Sequence, residues 1–437
     1  MRTIFIEGVS GVGKSTITQE LCRNLNEMGH PTKCYLEGDI TNPIDFYYTA
    51  CFTQREYESL LAKFPDCLDV IKNNTIVAKD VHLVRYYDNK TPLFDEPLLS
   101  LLRERELICN PINPVPLPDY TSIYKSVWEK FANEAAGQFD FVLFDGSLLH
   151  HPINDLTRIY SASSQEIIFH VNTLLSAVQK LHPQIIYLSS DNVSKRLQSA
   201  QISRKKPLLQ AEQIQFWENR KETDLAVMQR ISIPYPYDMY DISNEDWNSQ
   251  ISEMAARILE TEEERRARIY PIVLREYNPD YPLWYAEEKA KLEGLIGAEN
   301  IARINHYGST AVPGLVAKPT VDILLEIKED VDLKHIAELF PSPEYFCQWR
   351  DMPDDPLIIY KGYTSIGFAK KVYHVHVRYP GDWDELYFRD YLIAHPETAA
   401  KYAALKCKLM HDFENDRDGY TDAKGAFIRT VTAIARS

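Results

Sequence analysis

The chain is poor in several things, and each shortage excludes a class of protein. Cysteine is sparse: seven residues, at 22, 34, 51, 67, 109, 347 and 407 of 437, with no CxxC pair. An odd, scattered set excludes a disulfide framework and a paired-cysteine zinc site, and reads as reduced intracellular thiols. No run of 18 apolar residues occurs, and the opening MRTIFIEGVSG lacks a charged leader followed by a long apolar core. Neither a membrane span nor a secretory leader is expected, and the expected location is cytoplasmic. Positive charge is short as well: 48 Lys+Arg against 63 Asp+Glu leave a formal charge of −15. A phosphate backbone or an anionic membrane would be repelled, which argues against nucleic acid and membrane as partners. What is present, 45% hydrophobic and 25% charged, suits a soluble globular protein of two or three domains.

The opening strand, Thr3–Ile6, is short and apolar and ends at Glu7. A Gly-rich turn follows, then a helical face of Ile17, Leu21, Leu25 and Met28 that stops at Gly29. A second strand near Thr32–Leu36 ends in Glu37-Gly38-Asp39, completing a βαβ unit and implying a parallel sheet. Residues 40–138 are too long for a plain loop and read as a mostly helical insertion carrying substrate contacts, with a Pro-rich section and many aromatics. Buried-strand patterns return at Phe139–Phe144, Gln184–Leu188 and Tyr237–Ile242, with helices expected over Phe169–Leu181 and Trp247–Leu259. The charge run Glu260–Arg268 reads as a solvated helix extension and marks the best boundary. Apolar strands are expected to resume at Pro271–Leu274.

Gly8-Val9-Ser10-Gly11-Val12-Gly13-Lys14-Ser15 matches G-x-x-x-x-G-K-[ST] at every fixed position, between an apolar strand and an amphipathic helix. Gly8, Gly11 and Gly13 let the backbone turn its N–H groups towards phosphate oxygens. The helix beginning near Lys14, Ser15 and Thr16 adds its N-terminal dipole. Lys14 would reach the β- and γ-phosphates of ATP or GTP, and the Ser15 hydroxyl would hold Mg²⁺. Asp145, which ends an apolar strand, is placed as the partner carboxylate for that ion.

With those residues quoted, roughly the first 260 positions resemble the P-loop small-molecule kinases, which phosphorylate nucleosides, nucleotides and antibiotics. The resemblance implies that an acid ending the second strand, Glu37 or Asp39, approaches the acceptor hydroxyl. It also implies a mobile lid after the strand Gln184–Leu188, where Arg196 and Arg204 would clamp the transferring phosphoryl group. Lys205 and Lys206 read as solvated charges, and His150 and His151 as loop histidines outside the chemistry.

From about Tyr270 the chain resembles the GrpB-like family. The residues are Arg303–Leu315 (RINHYGSTAVPGL), Lys318-Pro319-Thr320-Val321-Asp322-Ile323, Tyr373-His374-Val375-His376-Val377, Phe388-Arg389-Asp390-Tyr391-Leu392 and Tyr420-Thr421-Asp422-Ala423-Lys424. This resemblance implies a nucleotidyltransferase-like fold, a small mixed sheet flanked by helices. Gly308-Ser309 matches that superfamily's triphosphate-binding turn and Asp322 its first metal-binding acid. The second acid is absent, because position 324 is leucine, and Glu326 lies about 7 Å further along the strand at ~3.3 Å per residue. His374 and His376 stand where a third acid is expected. Three roles stay open for this region. It binds a nucleotide or phosphorylated ligand through Ser309, Lys318, Asp322, His374 and His376, catalyses transfer with an unorthodox site, or supports folding and assembly.

The reading is therefore α/β. A P-loop parallel-sheet kinase domain over 1–262, with a helical insertion at about 40–138, precedes an α+β nucleotidyltransferase-like domain over 269–437. The expected activity is Mg²⁺-dependent transfer of the γ-phosphate of ATP or GTP to a small-molecule hydroxyl. The alternatives are nucleotidyl transfer in the second domain, dephospho-CoA-kinase-like activity, and a non-enzymatic nucleotide-gated binding module. Oligomeric state is not legible.

Overall fold

β1 (Arg2–Glu7) sits at the centre of the first sheet because Ile4, Phe5 and Ile6 are apolar on both faces and wholly buried. The computed structural model describes residues 1–437 except 89–90, 109–110, 136, 232–236, 244–245, 342–343, 365 and 415, with 417 and 418 described by backbone alone. It divides into two units, Met1–Leu259 and Glu260–Ser437.

In the first unit β1 is followed by α1 (Lys14–Glu27), β2 (Thr32–Tyr35) and an insertion that closes with α2 (Leu117–Glu134). Then come β3 (Phe141–Asp145), α3 (His150–Arg158), α4 (Ser164–Ala177), β4 (Gln184–Ser189), α5 (Val193–Ser203), α6 (Ala211–Met228), β5 (Tyr237–Asp241) and α7 (Trp247–Leu259). The strands run in the order β5-β4-β1-β3-β2, all parallel. Alternation divides their side chains between two cores. Phe5, Val142, Phe144, Ile185 and Tyr187 pack with α2 and α4, while Ile4, Ile6, Leu143, Ile186 and Leu188 pack with α1 and α7. β1 is the strand from which the chain builds outward both ways, so its carboxyl end opens at a topological switch point, where parallel α/β sheets bind ligands.

The insertion corrects one expectation. It is not mostly helical: Thr49–Thr53, Val81–Arg85 and Thr75–Ala78 form a three-stranded antiparallel sheet in that order. The β-branched runs on either side of Lys79-Asp80 pair as a two-residue hairpin, with Lys79 at φ +52. Tyr86, Tyr120, Tyr124 and Trp128, aromatics of this stretch, are buried core side chains. The expected helix at 169–181 instead starts at Ser164, behind a Ser163–Glu166 capping box, and ends at Ala177.

The second unit opens with α8 (Glu262–Ile269), capped by Thr261 and Glu264, and α9 (Tyr281–Ile296). Residues 271–274 are not a strand; the segment contributes one bridge, Arg275 with Ala317. Five strands follow: β6 (Ile301–Tyr307), β7 (Thr320–Ile327), β8 (Tyr345–Trp349), β9 (Leu357–Thr364) and β10 (Gly367–Arg378). Their order is β6-β7-β10-β9-β8, with β7 and β10 parallel and the other pairs antiparallel, so the sheet is mixed. α10 (Asp384–Ala394), α11 (Pro396–Asp412) and α12 (Arg417–Ala435) complete the unit. Val321, Ile323, Leu325, Tyr373, Val375 and Val377 fill a core with α9. Period two then sends Asp322, His374 and His376 to the opposite face. Among the described residues no helix is long and apolar enough to cross a membrane.

Candidate functional site

The loop between β1 and α1 is shaped by backbone. Gly8, Gly11 and Gly13 have φ of +139, +84 and +90. A Cβ on Gly8 would stand 2.5 Å from the Leu188 carbonyl oxygen, so β4 approaches too closely for any other residue. Lys14 is buried, and its Nζ donates to the Gly8 and Val9 carbonyls at 3.0 and 3.2 Å, folding the ammonium back over the loop. Ser15 Oγ donates to Asp145 Oδ2 at 2.5 Å, joining the first turn of α1 to the end of β3. Asp145 Oδ1 is buried with no hydrogen-bond partner among the described atoms. A buried carboxylate oxygen left open beside a serine hydroxyl fits the residues expected to hold Mg²⁺. Thr16 is exposed in the same turn.

Burial drives the charges here. It lowers the Lys14 ammonium below the usual lysine range, against the attraction of Asp145, Glu7 and Glu37. It raises the Asp145 carboxyl, against Lys14 and the Ser15 hydrogen bond. Glu37 is exposed at the end of β2, yet its charge reaches both Lys14 and Asp145. Asp39 is turned into its own loop, where Oδ1 accepts from the Thr41 N–H at 2.8 Å and the Thr41 hydroxyl at 2.7 Å. The two acids left open by the sequence are thereby in different situations.

Arg196 and Arg204 are not brought together. Arg196 lies beside the loop: it donates to the Ile242 carbonyl, and its guanidinium lies 5.7 Å from the Trp247 ring centroid. Arg204 is exposed at the far end of α5. The chain beyond it, as far as α6, carries exposed Lys205 and Lys206.

In the second unit the register Asp322↔His374 across parallel β7 and β10 sets a carboxylate against an imidazole. Asp322 Oδ1 lies 3.4 Å from His374 Nδ1, and His374 Nε2 lies 2.7 Å from the Tyr363 hydroxyl. His376, two residues on and on the same face, holds its Nδ1 2.9 Å from Asp355 Oδ2. Asp322, His374 and His376 each offer a ligand atom within 4.8 Å of the others'. Gly308 backs the group at φ +72, where a Cβ would stand 2.3 Å from Asp322 Oδ2. Beside it Lys406 Nζ donates to Ser309 Oγ at 3.0 Å and to the Val316 carbonyl. Lys318 is half-buried, and its charge acts on Asp322 and His374. Burial pushes the Asp322 carboxyl up, but the His374 hydrogen bond and the charges of His374, His376 and Lys318 bring it below the usual range.

Residues 271–433 match the family model described as GrpB protein. Glutamate-rich protein GrpB of Alkalihalophilus pseudofirmus is 32% identical over 164 residues, which are 37% of this chain and 93% of that protein. The chain belongs to the GrpB family. The crystal structure of the conserved protein GrpB from Enterococcus faecalis aligns at 28% identity, covering 37% of this chain and 96% of that one, with a TM-score of 0.33. A more distant likeness is to the dephospho-CoA kinase of Mycolicibacterium paratuberculosis, 25% identical over 217 residues. That match covers 44% of this chain and about half, 52%, of that kinase.

Several groups at these sites were missed in the sequence. Glu7 is fully buried and accepts from the N–H groups of Leu148 at 2.7 Å and His150 at 3.0 Å; burial raises its carboxyl to about 7. His150, set aside as a loop residue, is the first residue of α3, stacks on Trp217 and lies 3.4 Å from Lys14 Nζ. Arg220 and Asp224 form a buried pair at 2.8 Å that ties α6 to the carbonyls of Leu149 and His150. Only their i,i+4 spacing was visible beforehand. In the GrpB domain Lys406 was missed, being one of several lysines along α11. Glu326 is committed elsewhere: it pairs with Arg303 and accepts from Gly381 N at 3.0 Å and Trp383 Nε1 at 2.8 Å.

Proposed function

We propose that the first unit is a phosphotransferase that moves the γ-phosphate of ATP or GTP to a hydroxyl of a small molecule. The observation that carries this reading is Lys14 held over a positive-φ glycine loop, opposite the Ser15–Asp145 pair. In this reading the loop N–H groups and the α1 dipole bind the phosphates. Lys14 follows the charge that develops on the β–γ bridge, its burial strengthening the attraction. Ser15 and Asp145 would hold Mg²⁺, which when bound neutralises phosphate charge and draws the oxygens into line. Glu37 orients the acceptor hydroxyl and takes its proton, since Asp39 is occupied with Thr41. Arg196 closes the phosphate side from α5, with Arg204 arriving from the lid. The GrpB domain acts as a ligand-binding module through Ser309, Lys318, Asp322, His374 and His376.

The distant likeness to a dephospho-CoA kinase supports one specific acceptor, the ribose hydroxyl of dephospho-CoA, as the second reading. The test incubates the chain with Mg²⁺, ATP or GTP, and dephospho-CoA, pooled nucleosides or hydroxylated antibiotics, followed by phosphorus NMR. The expected products are the nucleoside diphosphate and a new phosphomonoester, abolished by Lys14→Ala. Glu37→Gln should lower kcat by about 10²–10⁴-fold, the usual range for a general base, while Asp39→Asn leaves it within a few-fold. Turnover retained in Lys14→Ala would sink the kinase reading. Pyrophosphate plus a phosphodiester, lost in Asp322→Asn, would move the chemistry to the GrpB domain.

A further inference from the structure

We propose that Asp322, His374 and His376 of the GrpB domain bind a divalent transition-metal ion, with the zinc or iron type of site preferred over Mg²⁺. The inference does not depend on phosphoryl transfer in the first unit, and it sharpens the ligand-binding reading of the second.

Three observations carry it. The donor atoms are already gathered: one carboxylate oxygen and two imidazole nitrogens lie within 4.8 Å of one another on half-buried side chains. Bonds of ~2.0–2.1 Å at tetrahedral angles need donors about 3.3 Å apart, so only small side-chain rotations are required. Each histidine is also held from behind in the manner of a metal ligand. His376 Nδ1 faces the Asp355 carboxylate at 2.9 and 3.0 Å, which keeps the proton on Nδ1 and leaves Nε2 its lone pair. Asp355 is itself fixed by Arg350 at 2.5 Å and Arg378 at 3.1 Å, so the orienting carboxylate does not move. His374 directs Nε2 at the Tyr363 hydroxyl, 2.7 Å away, and so presents Nδ1 to Asp322. Thirdly, space is kept for the carboxylate: Gly308 lacks the Cβ that would otherwise overlap Asp322 Oδ2.

Donor chemistry sets the metal. Two imidazoles and one carboxylate suit Zn²⁺, Fe²⁺, Co²⁺ or Mn²⁺, whereas Mg²⁺ takes oxygen ligands. Three protein ligands leave coordination positions open, as in sites that take up a further ligand. Lys318 and the Gly308–Ser309 turn stand beside that opening, so the further ligand is expected to be anionic.

The test uses the full chain without a histidine tag, in excess Mg²⁺ so that the phosphate loop does not compete. Cobalt is titrated in and followed by d–d absorption, and zinc by equilibrium dialysis. The expected result is one equivalent of tight binding without a thiolate charge-transfer band. Affinity should fall at least 100-fold in Asp322→Asn and His376→Ala and about 10–100-fold in Asp355→Asn, and be unchanged in Lys14→Ala. On the unaltered chain, zinc should protect His374 and His376 from diethyl pyrocarbonate, a readout that needs no variant to fold. Absence of saturable binding, a thiolate band, or unprotected histidines would overturn the proposal. Inorganic phosphate that still binds metal-free protein through Ser309 and Lys318, with no metal bound, would overturn the metal site alone and leave the ligand-binding reading standing.

Discussion

Among the described residues each unit buries one lysine beside its candidate site, and the two are surrounded differently. Lys14 in the first unit faces Asp145, Glu7 and Glu37, three carboxylates that favour its charge against burial. Lys406 in the GrpB domain is 2% exposed and stands near Lys318 and Lys424, with Asp322 as the opposing charge. Burial first, then its cationic neighbours, lower Lys406 to about 7. The first site sets its ammonium among carboxylates of its own unit. The second gathers two further lysines near its buried one, and an anion beside them would offset their mutual repulsion. One architecture invests in backbone geometry and paired charges, the other in side chains gathered across two strands.

The sharpest way to break this contrast is through the buried pair that frames the first site. Arg220→Ala leaves Asp224 buried without its guanidinium and strips the Leu149 and His150 carbonyls of a donor. The expected loss is about 3–5 kcal/mol, read by urea denaturation of the first unit's transition. Arg303→Ala in the GrpB domain is the control. Glu326 keeps the Gly381 N–H and the Trp383 indole, and Arg303 is half exposed, so that loss should be clearly smaller. Equal losses would show that the first unit is no more dependent on internal charge pairing than the second.

Next in size are the two glycines. Gly8→Ala sets a methyl 2.5 Å from the Leu188 carbonyl, and Gly308→Ala one 2.3 Å from the Asp322 carboxylate. Strain of about 1–3 kcal/mol at each corresponds to roughly 10–100-fold in ligand affinity. Calorimetry should find nucleotide binding weakened in Gly8→Ala alone, and metal binding weakened in Gly308→Ala alone. Crossed effects would mean that the two sites are coupled.

The same contrast explains what was legible in the sequence. The glycine turn between β1 and α1 is contiguous, and each glycine there answers a local backbone requirement, so the turn over Gly8–Ser15 could be read directly. The apolar strands Thr3–Ile6, Phe141–Phe144 and Gln184–Leu188 were legible for the same reason, being short runs with no competing period. The three-stranded sheet of the insertion was not, because pairing Thr49–Thr53 with Val81–Arg85 depends on contacts about thirty residues apart in the chain. Glu7 was legible only as a strand end, and Arg220 was not singled out; their hydrogen bonds come from the segments after β3 folding over them. In the GrpB domain the His374–His376 alternation was visible. That Asp322 stands opposite His374, and that Asp355 backs His376, follows from a strand register no local pattern encodes.

A gradual effect, a slope of stability with pH, tests the lysine contrast itself. A lysine held at about 7 when folded, against about 10.4 when unfolded, gives up its proton on folding throughout that interval. The unfolded chain then binds more protons than the folded one, so stability rises with pH between about 7 and 10 and the gain levels off above it. Below pH 7 both states carry the charge, and the burial penalty is felt in full. The slope from this group alone approaches about 1.4 kcal/mol per pH unit, and Lys406→Met should remove it while stabilising the GrpB domain most at low pH. Thermal melts from pH 6 to 10, with and without inorganic phosphate, provide the measurement. An anion bound near Lys406 should flatten the slope by restoring the charge, with one proton taken up on binding. A slope unchanged in Lys406→Met would mean that burial and the neighbouring cations do not hold this lysine down.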